Sequence, residues 1–102
     1  MKAILIIILF VVLFIYGCKT ENSDRATESC IAECKSRLAV GEDFSKGPCL
    51  SNEIIEDWVC DVAHSPRQDI DNNPENQCSA YREGKAKHFV EVDENCNLIK
   101  AA

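Results

Sequence analysis

The chain has 102 residues, of which 46% are hydrophobic and 27% are charged, and its formal net charge at pH 7 is −6. This length leaves room for one domain, and the acidic balance argues against the basic surfaces that bind nucleic acids or anionic lipid head groups. We therefore expect no nucleic-acid partner.

The first 18 residues form a segment of their own. Lys2 is followed by uninterrupted apolar side chains over residues 3–16, and Gly17 precedes Cys18. A basic residue, an apolar stretch and a small residue in this order are typical of a secretory signal peptide. An uncleaved membrane anchor is the alternative, although the apolar run is shorter than the roughly 20 residues that span a bilayer.

The same residues resemble the signal peptide of prokaryotic lipoproteins, in which a short box ends in a small residue and a lipidated cysteine. The resemblance covers residues 1–18 only. It implies a signal peptide over residues 1–17, cleavage before Cys18 and a diacylglyceryl group on its sulfur. The domain would then be anchored at the cell membrane or outer surface, on the extracytoplasmic side. An ordinary signal peptide with an unmodified Cys18 is the alternative interpretation.

Without Cys18 the number of cysteines is even, and all of them lie in the hydrophilic part of the chain: Cys30, Cys34, Cys49, Cys60, Cys78 and Cys96. Disulfides persist outside the cytoplasm, where small domains depend on them because their cores are small. The count therefore predicts three disulfides. In a reducing compartment the same residues would instead indicate zinc.

Residues 18–25 lack apolar side chains after the cysteine and are predicted to be a flexible linker, which places the domain at residues 26–102. The first element of the domain is a predicted helix, because apolar residues recur at every fourth position from Ala26 to Leu38 and Gly41 suits a helix end.

This helix restricts the disulfide pairing. Residues four apart on a helix are about 5 to 6 Å apart at Cβ, whereas a disulfide needs about 3.5 to 4.5 Å. We therefore expect Cys30 and Cys34 to bond to two other segments and not to each other.

The remaining patterns predict, in chain order, a loop over residues 41–52, a strand over 57–63 or a short helix from Ser51, an extended loop over 64–77, and a hairpin formed by 88–92 and 96–99. The fold class is thus a small disulfide-rich α+β domain. We expect one N-terminal helix packed on a small antiparallel sheet with a C-terminal β-hairpin.

Catalytic and metal-binding patterns are weak throughout. Asp69, Asp71 and Asn73 alternate as at the start of a calcium loop, but Pro74 and Ala80 stand where that loop needs glycine and glutamate. His64 and His88 lack the spacing of zinc ligands, and Glu91 with Asp93 is more typical of the solvated face of a hairpin. We predict no enzyme, no metal and no cofactor.

Loop 64–78 is long for a compact domain, and such loops often carry function. Its predicted contact residues are His64, Arg67, Asp69, Asp71 and Asn73. We expect a monomeric, non-enzymatic binding or interaction module, anchored to the membrane through lipidated Cys18, with an unidentified protein or small-molecule partner.

Two other functions are consistent with the sequence. An inhibitor of secreted hydrolases would insert a rigid loop, either Gly47–Cys49 or the Pro66–Arg67 turn, into an enzyme cleft. A thiol redox protein would use Cys30 or Cys34.

Overall fold

The computed structural model describes the backbone of residues 2–102 and the side chains from residue 21 onward. The predicted signal peptide and the lipid-attachment residue Cys18 lie outside the residues whose side chains are described. Among residues 21–102, whose side chains are described, no helix has the length and apolar character needed to cross a membrane.

One long helix and four strands make up the fold, with a second, very short helix and two 3-10 turns between the second and third strands. The elements are α1 (Lys2–Ala39), β1 (Cys49–Ile55), β2 (Trp58–Val62), the 3-10 turns Asp69–Asn72 and Pro74–Asn76, α2 (Ser79–Arg82), β3 (His88–Val92) and β4 (Leu98–Ala101). The strands form one sheet in the order β1-β2-β3-β4. The predicted α+β class, with a helix on a sheet and a C-terminal hairpin, is confirmed.

Two details of the sheet differ from the sequence prediction. The outer pairs are antiparallel as expected, but β2 and β3 are parallel. The connection over residues 63–87 is long enough to return the chain to the starting end of β2, which is what a parallel neighbour requires. Moreover, residues 49–52 of β1 were predicted as loop, because this irregular edge strand exposes polar side chains such as Asn52.

Helix α1 ends where the sequence predicts and begins earlier. Gly41 has a φ of +86° and its amide donates to the carbonyl of Leu38 at 3.1 Å, which closes the last turn. Residues 18–25, predicted to be a flexible linker, are helical in the structure. From residue 21 to residue 25 their side chains are mostly exposed, so this part of the helix makes little contact with the core.

The core lies between α1 and one face of the sheet. Ala26, Cys30 and Cys34 of the helix are fully buried. They pack on alternate side chains of the two central strands: Trp58, Cys60, Val62, Val90 and Val92. These three positions follow the four-residue recurrence predicted in α1, whereas Leu38, the fourth member of the predicted stripe, is 42% exposed.

Three disulfides fasten these elements. Cys30 bonds to Cys60 on β2 and Cys34 bonds to Cys96 in the β3–β4 turn, so α1 is tied to two separate segments as predicted. Cys49 at the start of β1 bonds to Cys78 just before α2. The first two bridges hold α1 to the sheet, while the third holds α2 and its preceding loop beside the opposite face.

Candidate functional site

The candidate site is a cleft on the face of the sheet that points away from α1. Strand alternation directs Val59 and Asp61 of β2 to this face, together with Phe89 and Glu91 of β3. The parallel register pairs Val59 with Phe89 and Asp61 with Glu91. The floor of the cleft therefore has an apolar half and an acidic half.

The walls come from the long connection between the two central strands. Arg67 and Gln77 of the loop, the half-cystine Cys78, and Tyr81 and Arg82 of α2 complete the lining. We call this site the sheet cleft. Its volume is about 480 Å³, which is within the range of roughly 300 to 1,000 Å³ found for small-molecule sites.

The aromatic side chains of the sheet cleft are held in place by each other. Tyr81 meets Phe89 edge to face, with ring centroids 5.2 Å apart. The ammonium of Lys100 on β4 lies 5.9 Å from the centre of the Phe89 ring, and Lys100 is the cross-strand partner of Glu91. The apolar half thus has a fixed aromatic surface with a cation at its border.

Asp61 is the most unusual residue of the cleft. Its Oδ1 is the one buried side-chain oxygen or nitrogen, among residues 21–102, that has no hydrogen-bond partner. Burial, reinforced by the like charge of Glu91, raises the pKa of Asp61 to about 8, although Arg67 opposes the shift. The Asp61 carboxyl is therefore mostly neutral at pH 7.

Arg67 neutralises the second carboxyl group of the cleft. Its Nη1 contacts Oε2 of Glu91 at 3.1 Å, its Nε donates to Asn72 at 2.9 Å and its Nη2 donates to the carbonyl of Asp71 at 3.2 Å. The guanidinium thereby clamps the loop onto β3. This residue was predicted as a contact residue, and it does line the cleft.

The other predicted contact residues lie elsewhere in the loop. The side chains of His64 and Asp71 are buried against each other, with Nδ1 2.9 Å from Oδ1. The amides of His64 and Gln68 donate to Oδ2 of Asp71 at 3.0 and 2.9 Å. Asp69 and Asn73 are exposed and do not line the cleft.

This buried pair organises the loop. Burial alone would raise the pKa of Asp71, but hydrogen bonds from Gln68 and His64 outweigh it and lower that pKa. Gly47, with a φ of +65°, packs so closely on the Asp71 carboxylate that a Cβ there would overlap it. The pair therefore fixes the loop to the segment that precedes β1, and the loop in turn forms one wall of the cleft.

The structure also locates the residues behind the weaker sequence hypotheses. In the described part of the chain no three His, Cys, Asp or Glu side chains are grouped to hold a metal ion, and the Asp71 carboxylate is engaged by His64. Gly47 is buried and Cys49 is half-buried, so Gly47–Cys49 is not a protruding loop. Five of the six half-cystines are at most 3% exposed, Cys49 being the exception, which limits attack by an external thiol.

A second groove, of about 740 Å³, lies at the other end of β2 and β3, beside α1. There the Trp58 indole stacks on the His88 imidazole with centroids 4.6 Å apart. Its charged side chains include Arg25, Glu56 and Lys87 and are of both signs. No buried polar atom in the described part of this groove lacks a partner, which distinguishes it from the sheet cleft.

Sequence reasoning missed most of the sheet cleft. Asp61 was recognisable as a single carboxylate within the apolar run from Val59 to Ala63, which is an uncommon place for an acidic residue. Phe89 and Glu91 were predicted in a strand, but only the parallel register places them beside Val59 and Asp61.

Comparisons with known proteins give no relative from which a function could be transferred. No protein-family model, no curated protein and no solved structure matches this chain. The residues of the cleft and the N-terminal sequence are therefore the features that indicate a function.

Proposed function

We propose that this protein is a lipid-anchored extracytoplasmic binding module and that the sheet cleft is its ligand site. It would be tethered through Cys18 and would act by binding, without catalysis. The partner would be a small molecule, because the cleft has the volume of a small-ligand site and is not a flat surface.

The N-terminal sequence and the disulfides support the proposed location. The order Lys2, apolar run, Gly17 and Cys18 matches the lipoprotein signal described above. The three bridges are the kind of stabilisation that persists in an oxidising compartment. Two or three acyl chains on Cys18 would anchor the protein firmly, since each buried CH₂ contributes about 0.8 kcal/mol.

One observation carries the proposed site: the buried, unpartnered Oδ1 of Asp61, a residue in the floor of an open cleft. Buried polar groups in folded proteins are nearly always hydrogen-bonded, so an exception calls for a reason. A carboxyl group with an unsatisfied oxygen, next to a fixed aromatic surface, is well suited to orient a bound molecule. Perturbed carboxyl groups in clefts are concentrated at functional sites.

The anchor is tested by intact mass spectrometry of the protein purified from membranes, with and without reduction. We expect a mass that shows cleavage before Cys18 and added acyl chains, and a gain of six hydrogens on reduction of the three disulfides. An unprocessed chain that gains no mass on reduction would contradict both parts of the proposal. A Cys18→Ser variant should lose its acyl mass and leave the membrane fraction.

The cleft is tested by a small-molecule screen read by NMR on the purified protein. We expect binders to shift the amides of Val59, Asp61, Phe89 and Glu91 and to leave those of Trp58 and His88 in the second groove unshifted. Binders that shift only the second groove, or a broad library without any binder, would refute the sheet cleft as the ligand site.

A further inference from the structure

We propose that the ligand of the sheet cleft is a small organic anion with an apolar body. Its anionic group would accept a hydrogen bond from the Asp61 carboxyl and contact the Arg82 guanidinium, while its apolar body would lie on Phe89. This inference rests on the proposed function, because it names the ligand class of the same site.

The charges around the cleft favour an anion. The Arg67 guanidinium and the Glu91 carboxylate neutralise each other across 3.1 Å. The Arg82 side chain lines the cleft, and among residues 21–102 its guanidinium has no hydrogen-bond or ion-pair partner. Lys100 faces the same side from β4, opposite Glu91. Two cations are therefore left without a matching carboxylate on this face.

This local excess of positive charge is opposite in sign to the net charge of the whole domain. Lys2 is the one charged residue among the first 18, so the rest of the chain has 10 basic and 17 acidic residues and a net charge of −7. A positive cleft in an acidic domain attracts anionic ligands locally, where low-dielectric walls strengthen the field.

Asp61 contributes as a hydrogen-bond donor. A neutral carboxyl group offers one O–H, whereas an ionised one can only accept. The charged groups around Asp61 are Glu91 on β3, Arg67 on the loop and Asp71 on the first 3-10 turn. Burial and the two carboxyl groups raise the pKa of Asp61 to about 8, although Arg67 and a hydrogen bond from the Val62 backbone amide oppose the shift. An ammonium ligand would require the ionised form and would meet repulsion from Arg82 and Lys100.

The apolar half supplies the rest of the contact. Val59 is 1% exposed and forms the base of the cleft, while the half-buried Phe89 ring is held edge to face by Tyr81. An aromatic or aliphatic body can cover this surface, and burial of apolar area contributes about 25 cal/mol per Å². The ligand would thus be amphipathic, with its charge at the acidic half of the floor.

The test uses three probes of matched shape and different charge: phenylacetate, phenylacetamide and phenethylammonium. Each is titrated into the full-length protein in uncharged detergent micelles, with NMR shifts read at Val59, Asp61, Phe89 and Glu91. We expect phenylacetate to bind at least tenfold more tightly than the other two probes. Asp61 donates a hydrogen bond only when its carboxyl group is neutral. The affinity for phenylacetate should therefore fall about tenfold from pH 6 to pH 9, as a pKa of about 8 requires.

Variants separate the roles of the two recognition groups. Asp61→Asn keeps a neutral donor that does not titrate, so its affinity for phenylacetate should be equal at pH 6 and pH 9. Arg82→Gln should weaken phenylacetate binding about tenfold at both pH values. Arg25→Gln, which makes the same change in the second groove, is the matched control and should have no effect.

The outcomes distinguish the two proposals. If phenethylammonium or phenylacetamide binds the cleft as tightly as phenylacetate, the inference is wrong and the proposed ligand site stands. The inference is also wrong, with the site intact, if none of the three probes shifts the cleft but other molecules from the screen do. If neither the probes nor the screen shifts the cleft, both proposals fail.

Discussion

Replacing Asp61 by asparagine should stabilise the protein at neutral pH and leave it almost unchanged in acid. The substitution keeps the size and polarity of the side chain but removes the group that must stay protonated in the fold. In the wild type, burial and Glu91 raise the pKa of Asp61 from 3.8 to about 8. The folded state therefore binds a proton that the unfolded state releases above pH 4.

The size of the effect follows from linkage. Where the folded chain holds one proton more than the unfolded chain, the free energy of unfolding falls by about 1.4 kcal/mol per pH unit. Asp61 stabilises the fold fully below pH 3.8, and this contribution is lost as the pH rises through about 8. Between pH 4 and pH 7 the loss is of the order of 4 kcal/mol, a large part of the roughly 5 to 15 kcal/mol typical of small domains.

The assay is denaturant unfolding of the wild type and the variant between pH 4 and pH 9, with the disulfides intact. The two free energies of unfolding should agree within about 1 kcal/mol at pH 4 and diverge steadily up to pH 8, the variant being the more stable. Asp69→Asn makes the same change at an exposed position and should track the wild type within about 0.5 kcal/mol. A constant gap between the wild type and Asp61→Asn would refute a raised pKa at this site.

Three further substitutions test the supports of the cleft, each by the free energy of unfolding in urea. Gly47→Ala should lower the free energy of unfolding by at least about 2 kcal/mol more than Gly41→Ala does, because both glycines have positive φ but only a Cβ at Gly47 overlaps the Asp71 carboxylate. Equal losses would contradict this packing. Asp71→Asn should lower the free energy of unfolding by about 1 to 3 kcal/mol at pH 7, and this loss should shrink as the pH falls below 3.8, since the pKa of Asp71 is lowered in the fold. A loss that grows in acid would contradict a lowered pKa. Replacing Cys34 and Cys96 together by alanine should cost about 4 kcal/mol, because that bridge spans a sequence separation of 62; a loss below about 1 kcal/mol would rule out a stabilising bridge.

Local patterns were enough to predict the elements that depend on neighbours in sequence. The four-residue recurrence of apolar side chains and Gly41 locate the core stripe and the end of α1, and the same spacing excludes a bond between Cys30 and Cys34. The alternation from His88 to Val92, followed by a turn, predicts the β3–β4 hairpin. Each of these features is fixed within a few residues.

The missed features depend on contacts between distant segments. Residues 49–52 of β1 were predicted as loop because an edge strand can expose polar residues such as Asn52 and still hydrogen-bond to β2. The direction of β3 is set by how residues 63–87 close over the sheet, which no local pattern specifies. Since the cleft needs that parallel register to bring Glu91 beside Asp61, its geometry was beyond sequence reasoning even though its residues lie in predicted strands.

The most direct measurement is a titration of the Asp61 side-chain carboxyl carbon by ¹³C NMR in the folded protein, free and with phenylacetate. In the free protein the midpoint should lie near pH 8, and it should rise when the anion binds, because binding favours the protonated form. A free-protein midpoint near the ordinary aspartate value of 3.8, or one that phenylacetate lowers, would show that the cleft holds an ionised carboxylate and does not donate a hydrogen bond to an anion.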